Sequence, residues 1–257
     1  MRFGDEGKSW RDASQKRNAM IASVLPFALS LADPRLLFIR HGHTHMNEYL
    51  SKPGSEWGAP NFVDPGFFDT ELTPLGVSQA SELNAKLGGS ELPRVDVLIS
   101  SPLQRALHTS ELAFAGLSIS KRLVTPLAAE RLFLSSDVGS PVAKLVARFD
   151  PEWRLQETLR EWWWYQGDAS WKDSEWRPPG KYLCAGEPRD VFTARMVELM
   201  AFLRTQCNDP PSGRESTICV VAHKQVVYAL TGVKANNCEC VQVRLSKLPE
   251  LPWVEED

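Results

Sequence analysis

The fold is decided by residues 36–44, which read Leu36-Leu37-Phe38-Ile39-Arg40-His41-Gly42-His43-Thr44. The first four residues form a short, continuous apolar run, which is typical of a strand buried on both faces of a sheet. The run ends in the cationic and titratable side chains of Arg40 and His41. Because ligands bind outside the carboxyl ends of the strands in open α/β sheets, this polar stretch is a candidate site.

Strands and helices alternate along the rest of the chain. Apolar runs predict further strands at residues 95–99, 123–125 and 217–222. Thr73 and Pro74 predict the start of a helix, as N-cap and first helical residue, and Gly88-Gly89 predicts its end. Helical spacing predicts three more helices, at 103–112, around the stripe Phe192, Met196, Leu199 and Leu203, and at 224–230. We therefore expect an α/β protein, a three-layer α/β/α sandwich with a mostly parallel sheet.

Composition narrows the class of protein. The chain has 257 residues, of which 43% are hydrophobic and 24% charged, as in a soluble globular domain. Its net charge of −3 gives no long-range attraction for nucleic acid. No apolar run reaches the ~18 residues that a membrane helix needs, so we expect neither nucleic acid nor membrane as a partner.

The cysteines and the N-terminal segment bear on location. Five cysteines without a paired CxxC set argue against a disulfide framework or a structural zinc site, and favour a reducing compartment. We therefore expect a cytoplasmic protein. A secreted or organellar location is the alternative, because the apolar run at residues 19–32 resembles a signal-peptide core.

One domain is predicted at residues 35–245, between an N-terminal extension (1–34) and a C-terminal tail (246–257). A substrate-side insertion is expected at about residues 130–182, a stretch rich in tryptophan. Its tryptophans are Trp153, Trp162, Trp163, Trp164, Trp171 and Trp176. Because these side chains are large, we expect them to cover an edge of the hydrophobic core. The alternatives are a lid over the pocket or a surface that binds another protein.

Three predicted strands deliver cationic or titratable side chains to one rim of the sheet. Arg40 and His41 follow the first strand, Arg105 comes shortly after the second, and His223 follows the strand at 217–222. The planar fork of arginine makes paired, charge-assisted hydrogen bonds to phosphate oxygens. Imidazole acts near neutral pH both as a nucleophile and as a donor to developing charge. The sequence therefore predicts a phosphate pocket at this rim.

These motifs resemble the signature of the histidine phosphatase superfamily, which has the phosphoglycerate-mutase-like fold. Arg40-His41-Gly42, with Thr44 and Asn47 following, resembles its first motif. The supporting segments occur in the expected order at 72–80, 101–109, 186–195 and 221–223. The resemblance runs from about residue 36 to residue 239. Arg-His-Gly alone is a weak signal, but the ordered set is a strong one.

The resemblance implies an activity and a phosphate pocket. It implies a phosphatase that hydrolyses a phosphomonoester through a phosphohistidine on His41, with no metal and no other cofactor. Arg40, Arg105 and a protonated His223 would stabilise the phosphoryl oxygens, and Asn47 would add a further contact.

The general acid is also placed by the resemblance. Glu130 would protonate the leaving alcohol and later, as a base, activate water. The segment that follows it departs from the mutase pattern, and Asp137 is the rival for the same role.

Other functions remain open at this point. A phosphoglycerate mutase would use the same pocket, with Arg131 binding a substrate carboxylate; otherwise Arg131 is expected to be a surface charge. A binding or scaffold protein that has lost catalysis is a second alternative. The expected partner is a small phosphomonoester, with a phosphoprotein as the alternative, and the sequence sets no oligomeric state.

A metal hydrolase is the rival chemistry. His41, His43 and His45 form a His-x-His-x-His pattern that could be interpreted as a metal cluster. The only other histidines are His108 and His223, and no later Asp/His cluster supports it. We therefore expect His43 and His45 to be hydrogen-bonded or solvated loop residues, and His108 to be a packed one.

Overall fold

Strand β1 (Arg35–Arg40) lies inside a five-stranded sheet. The other strands are β2 (Val97–Ser100), β3 (Lys121–Val124), β4 (Thr217–Ala222) and β5 (Cys240–Arg244). Their order is β3-β2-β4-β1-β5, and every neighbouring pair is parallel except the antiparallel pair β1 and β5. The structure is a computed structural model that describes residues 33–166, 180–184, 186–207 and 215–254. The apolar run at 19–32 lies outside these residues.

Seven helices are present in the described part of the chain. They are α1 (His45–Leu50), α2 (Pro74–Gly88), α3 (Gln104–Ala113), α4 (Val142–Val146), α5 (Leu155–Thr158), α6 (Arg189–Gln206) and α7 (Lys224–Thr231). Short 3₁₀ turns occur at Pro126–Ala128, Ser135–Asp137, Pro151–Trp153 and Leu245–Lys247. None of these described helices combines the length and apolarity that crossing a bilayer requires.

Alternate residues of β1 face two separate apolar cores, as expected for a strand buried on both sides. Leu37 and Ile39 pack with α2 and α3, whereas Leu36 and Phe38 pack with α6 and α7. The residues of β4 divide between the cores in the same way. The sheet therefore forms the middle of three layers, and the predicted α/β/α sandwich is confirmed.

The predicted helix ends are confirmed where a capping group was visible in the sequence. The Thr73 hydroxyl accepts the Gly76 N–H at 3.2 Å, and Pro74 is the first helical residue of α2.

The predicted stripe of α6 is fully buried: Phe192, Met196, Leu199 and Leu203. The strand predicted at 95–99 begins later, at Val97, although Val95 is buried as well.

The tryptophans of the predicted insertion divide by burial. Trp153 and Trp163 are buried in the core beside α2 and α3, and the Trp163 indole N–H donates to the Ser140 carbonyl at 3.0 Å. Trp162 is exposed. Trp171 and Trp176 lie outside the described residues. The expected cover for a core edge is therefore seen in two of the described tryptophans.

The loop after β1 packs against the first turn of α2 without space for a side chain. A Cβ atom on Gly42 would lie 2.7 Å from the Gly76 carbonyl oxygen, and one on Gly76 would lie 2.1 Å from the His43 carbonyl oxygen. The His43 carbonyl also accepts the Thr73 N–H at 3.0 Å. Glycine at both positions lets α2 fix the path of the chain just after His41.

We predict that Gly76→Ala lowers the free energy of unfolding by about 1–3 kcal/mol, because the new methyl group overpacks a backbone contact. Gly88→Ala, at the last residue of α2, is the matched control. Its Cβ would meet only Leu117 at an ordinary 3.6 Å, so stability stays unchanged or rises by about 0.5 kcal/mol. Urea unfolding measures both, and equal midpoints for the two variants would contradict the close-packing argument.

Candidate active site

The ends of β1, β2 and β4 are level, which brings their polar residues together. The register pairs Arg40 with Ala222 and Ser100 with Val221. Just beyond it, the His41 N–H donates to the Ala222 carbonyl at 3.0 Å. The rings of His41 and His223 then lie with their centroids 5.1 Å apart. The structure thus brings together the two histidines that the sequence placed at the same rim.

His41 is held in one tautomer. Its Nδ1 lies 2.8 Å from the Gly42 carbonyl oxygen, which can only accept, so Nδ1 carries the proton and Nε2 keeps its lone pair. The side chain is 4% exposed. Burial lowers the pKa of His41 well below 6.5, and the nearby charges of Arg105 and Arg40 lower it further. The ring is therefore neutral at neutral pH.

His223 is engaged at both ring nitrogens. The Arg105 Nε–H donates to Nδ1 at 3.3 Å, so the proton sits on Nε2, which lies 2.7 Å from the Ser101 hydroxyl oxygen. Burial, and then the charges of Arg105 and His41, lower the pKa of His223 well below 6.5. This neutral state differs from the protonated His223 expected from the resemblance, and its cause is the arginine beside a fully buried ring.

Arg105 is a buried cation with acceptors on three sides. Besides His223, its guanidinium donates to the Ser136 carbonyl and to Asp137 Oδ1 at 2.9 Å. The other oxygen of Asp137 accepts the N–H groups of Phe133 and Leu134 at 3.1 and 3.0 Å. Asp137 therefore fixes the position of Arg105.

Arg40 lies on the same pocket with donors to spare. Its Nη1 donates to the Ala235 carbonyl at 3.0 Å. Its Nε is buried and has no hydrogen-bond partner among the described residues. A buried, unpaired N–H of a guanidinium is costly, which indicates that a ligand acceptor belongs there.

Asn47 has a structural role that the sequence did not reveal. It is the third residue of α1, and its Oδ1 accepts the Thr44 N–H at 3.2 Å in a capping box. Asn237 donates to the same oxygen at 3.2 Å and to the His41 carbonyl at 2.9 Å. The amide nitrogen of Asn47 makes no hydrogen bond to the described residues and remains a donor on the pocket wall.

Glu130 is one of two carboxyl groups that line the pocket, with Asp137 as the other. Its oxygens accept the N–H groups of Arg131 at 3.0 Å and Gln225 at 3.4 Å. Burial raises the pKa of Glu130 from 4.5 to about 7, and the charge of Asp137 also raises it, while Arg105 opposes the shift. The group therefore exchanges a proton close to neutral pH.

A second ion pair, between the half-buried Arg195 and the buried Glu187, holds the backbone before and at Glu130. Arg195 forms a two-pronged pair with Glu187, and its guanidinium also donates to the carbonyls of Leu127 and Ala129 at 2.9 and 2.8 Å and of Glu130 at 3.3 Å. Arg195 thus positions the carboxyl group without contacting the pocket.

These groups line one pocket of about 190 Å³. Its lining includes five of the six predicted site residues, and His223 lies directly behind them. The five are Arg40, His41, Asn47, Arg105 and Glu130. Sequence reasoning missed Trp57, Lys224 and Gln225, which also line it. Only the last two carried a signal, as the first residues of a helix that follows a strand end.

The remaining histidines point to different partners. His43 Nδ1 lies 2.9 Å from the Thr73 hydroxyl oxygen, and the exposed His45 lies 3.7 Å from Glu48. Neither lines the pocket of His41. Across the part of the chain that the structure describes, no three His, Cys, Asp or Glu side chains are grouped to hold a metal ion.

The expectation that Arg131 is a surface charge or contacts a substrate carboxylate is wrong. Arg131 is 2% exposed and does not line the pocket. Its Nε donates to the Glu187 carbonyl at 3.0 Å, and its guanidinium lies 4.6 Å from the centre of the Phe133 ring. The backbone carbonyl and the aromatic face draw the side chain inward.

The fold and the site together define a three-layer α/β protein in which polar strand ends converge on one histidine-centred pocket. Residues 36–133 match the family model of the histidine phosphatase superfamily (branch 1). This match confirms the resemblance seen in the motifs, over the segment that it covers.

Comparisons with individual proteins show more distant similarity. Phosphomutase-like protein 3 of Candida albicans is 24% identical over 173 residues, which cover 64% of this chain and 46% of the relative. The chain thus spans about half the length of that curated relative. Among solved structures, the alpha-ribazole phosphatase of Shigella flexneri is 21% identical with a TM-score of 0.44, and covers 76% of each chain. The mycobacterial glucosyl-3-phosphoglycerate phosphatase is 23% identical with a TM-score of 0.47, and covers 81% of this chain and 89% of its own.

We predict that Asp137→Ala lowers the free energy of unfolding by about 3–5 kcal/mol, because it leaves the Arg105 charge buried and unpaired. Adding Arg105→Met to the same chain recovers part of this loss, because the unpaired charge is then gone. Glu157→Ala, which breaks the exposed pair with Arg154, is the control and changes little. Urea unfolding of the four proteins, including the parent, measures the differences. A double variant no more stable than Asp137→Ala would contradict the assignment.

Proposed function

We propose that this protein is a phosphatase that hydrolyses a phosphomonoester through a phosphohistidine formed on His41. The observation that carries the proposal is the convergence of a neutral His41, two arginines and a carboxyl group of pKa about 7 on one pocket. Arginine supplies the positive charge that a phosphoryl group needs, so the proposal requires no metal and no other cofactor.

The two arginines retain enough donors for the phosphoryl oxygens. A guanidinium has five N–H donors. Arg105 uses three of them on His223, Ser136 and Asp137, which leaves two. Arg40 uses one on Ala235, and its buried Nε is among the remaining four. The amide nitrogen of Asn47 adds a neutral donor.

His41 is prepared for attack on phosphorus. The Gly42 carbonyl fixes the proton on Nδ1, so the lone pair of Nε2 is available without a separate base. Nε2 forms the bond to phosphorus as the bond to the ester oxygen breaks, and the arginines stabilise the equatorial oxygens. The negative charge of the bound phosphoryl group raises the pKa of the adjacent His223, and the protonated form expected from the resemblance would give up the Arg105 bond at Nδ1 and free that N–H for the phosphoryl group.

Glu130 completes the reaction in this proposal. As an acid it gives its proton to the departing alcohol oxygen, and as a carboxylate it then takes a proton from the water that attacks the phosphohistidine. Inorganic phosphate leaves, and Glu130 is again protonated. Asp137 is the weaker candidate because both of its oxygens are committed to Arg105, Phe133 and Leu134.

A mutase is the second candidate, and the name of the Candida albicans relative favours it. Against it, Arg131 does not reach the pocket to bind a carboxylate. An assay with 3-phosphoglycerate, with and without a bisphosphate primer, separates the two: a mutase isomerises, whereas a phosphatase releases inorganic phosphate. If no member of a broad phosphomonoester panel is hydrolysed, the result would instead support a binding or scaffold protein without catalysis.

We propose that the enzyme acts in the cytosol, on a small phosphomonoester rather than on a phosphoprotein.

We predict that His41→Ala lowers kcat by at least about 10³-fold, because the bond-forming nitrogen is lost. The measurements are phosphate release and trapping of the labelled phosphoenzyme in acid-quenched samples. His45→Ala removes an exposed histidine four residues away and keeps full activity. Substantial turnover by folded His41→Ala protein would refute the mechanism.

We predict that kcat for an alkyl phosphate falls above pH 7, because Glu130 must be protonated to donate and its pKa is about 7. Glu130→Gln removes this alkaline limb and lowers kcat/KM by about 10²–10⁴-fold on the alkyl ester. The loss of kcat/KM is much smaller on nitrophenyl phosphate, because its leaving group needs no proton and kcat/KM does not include the later hydrolysis of the phosphohistidine. The exposed Glu48→Gln serves as the control, and equal slowing of both esters by Glu130→Gln would assign the acid elsewhere.

A further inference from the structure

Besides the groups that would hold the phosphoryl group, the pocket is lined by a set of apolar side chains, called here the apolar wall. Five of its lining residues carry apolar or aromatic side chains: Met46, Leu50, Trp57, Phe133 and Leu134. We infer that this wall selects the alcohol part of the substrate, and that the substrate is a phosphomonoester of an aromatic or other apolar alcohol. The inference rests on the proposed phosphatase activity and names its substrate class.

The wall is held rigidly at Phe133. One neighbour is the Trp57 ring, with centroids 5.1 Å apart and planes tilted by 59°. Another is the guanidinium of Arg131, which the Glu187 carbonyl holds at 4.6 Å from the ring centre. A ring fixed in this way loses little freedom when a ligand packs on it, which favours binding.

The wall and the phosphate-binding arginine share one support. Asp137 binds Arg105 through Oδ1, and through Oδ2 it accepts the N–H groups of Phe133 and Leu134. The distance from the phosphoryl position to the aromatic surface is therefore set by a single buried carboxylate.

A sugar-acid ester fits the apolar wall poorly. Its hydroxyl and carboxylate groups would lose water against Trp57 and Phe133 without gaining partners. Among the described residues, Lys224 is the one cationic side chain in the pocket lining besides the two arginines. That residue precedes Gln225, whose N–H contacts Glu130, and so belongs to the charged side.

The test compares two alkyl esters with similarly poor leaving groups, 2-phenylethyl phosphate and glycerol 1-phosphate, so that chemistry does not bias the result. We expect kcat/KM to be about 10- to 100-fold higher for the phenylethyl ester, the gain from burying one aromatic ring. Trp57→Ala lowers kcat/KM for that ester severalfold more than it lowers kcat/KM for the glycerol ester. Trp57 is 41% exposed, so its loss does not threaten the fold. Trp253→Ala, at another exposed tryptophan that does not line the pocket, is the matched control and changes neither value.

Equal kcat/KM values for the two esters, or an equal loss on both in Trp57→Ala, would overturn the inference while leaving the phosphatase proposal intact. If neither ester is hydrolysed, the broad phosphomonoester panel decides the proposed function, and binding of benzylphosphonate and methylphosphonate decides the inference separately. A lower Kd for benzylphosphonate, weakened by Trp57→Ala, supports the wall. Equal Kd values refute it.

Discussion

Arg105 places a full positive charge in the interior, with 3% of its surface exposed, and acceptors on three sides hold it there. Asp137, the Ser136 carbonyl and His223 come from two other parts of the chain. Removing one member of such a set leaves a buried charge unpaired, so the set persists as a unit. It joins α3, the turn at Ser135–Asp137 and the end of β4, and thereby fixes the floor of the pocket.

Burial divides the titratable groups of the pocket into two kinds. Burial and the positive charge of Arg105 keep His41 and His223 neutral, because protonating either ring would place a second positive charge beside that arginine. Burial instead keeps Glu130 protonated up to about pH 7, with Asp137 adding to the shift. One low-dielectric pocket thus holds a neutral imidazole with a free Nε2 lone pair beside a protonated carboxyl group, the two states that the proposed mechanism requires.

The parts of the molecule that local patterns encode were predictable from the sequence. A continuous apolar run identifies β1, the Thr73 hydroxyl identifies the start of α2, and strand ends identify His41, Arg105 and His223. Parallel strands bring their ends together, so these residues could be assigned to one site before any geometry was known.

Contacts between distant segments were not predictable. Asn237 reaches the His41 carbonyl across 196 positions, and no local pattern distinguishes it from any loop asparagine. Arg131 is drawn inward by a backbone carbonyl and an aromatic face, neither of which leaves a signal in charge or spacing. The prediction for Asn47 named a phosphate contact and missed its capping hydrogen bond with the Thr44 N–H. One side chain serves both the helix and the pocket in this case.

The strand order has a consequence for how the protein is made. Among the described strands, β1 pairs with β4 and β5, and both come from residues 217–244, outside the segment 36–133 that the family model matches. A ribosome releases the amino-terminal part first, so the growing chain carries β1 as an unpaired apolar strand until β4 has been made. Such an edge invites pairing with other chains. His41 reaches its final geometry only after the last strand has emerged, and nascent chains therefore pass through an aggregation-prone stage before the pocket exists.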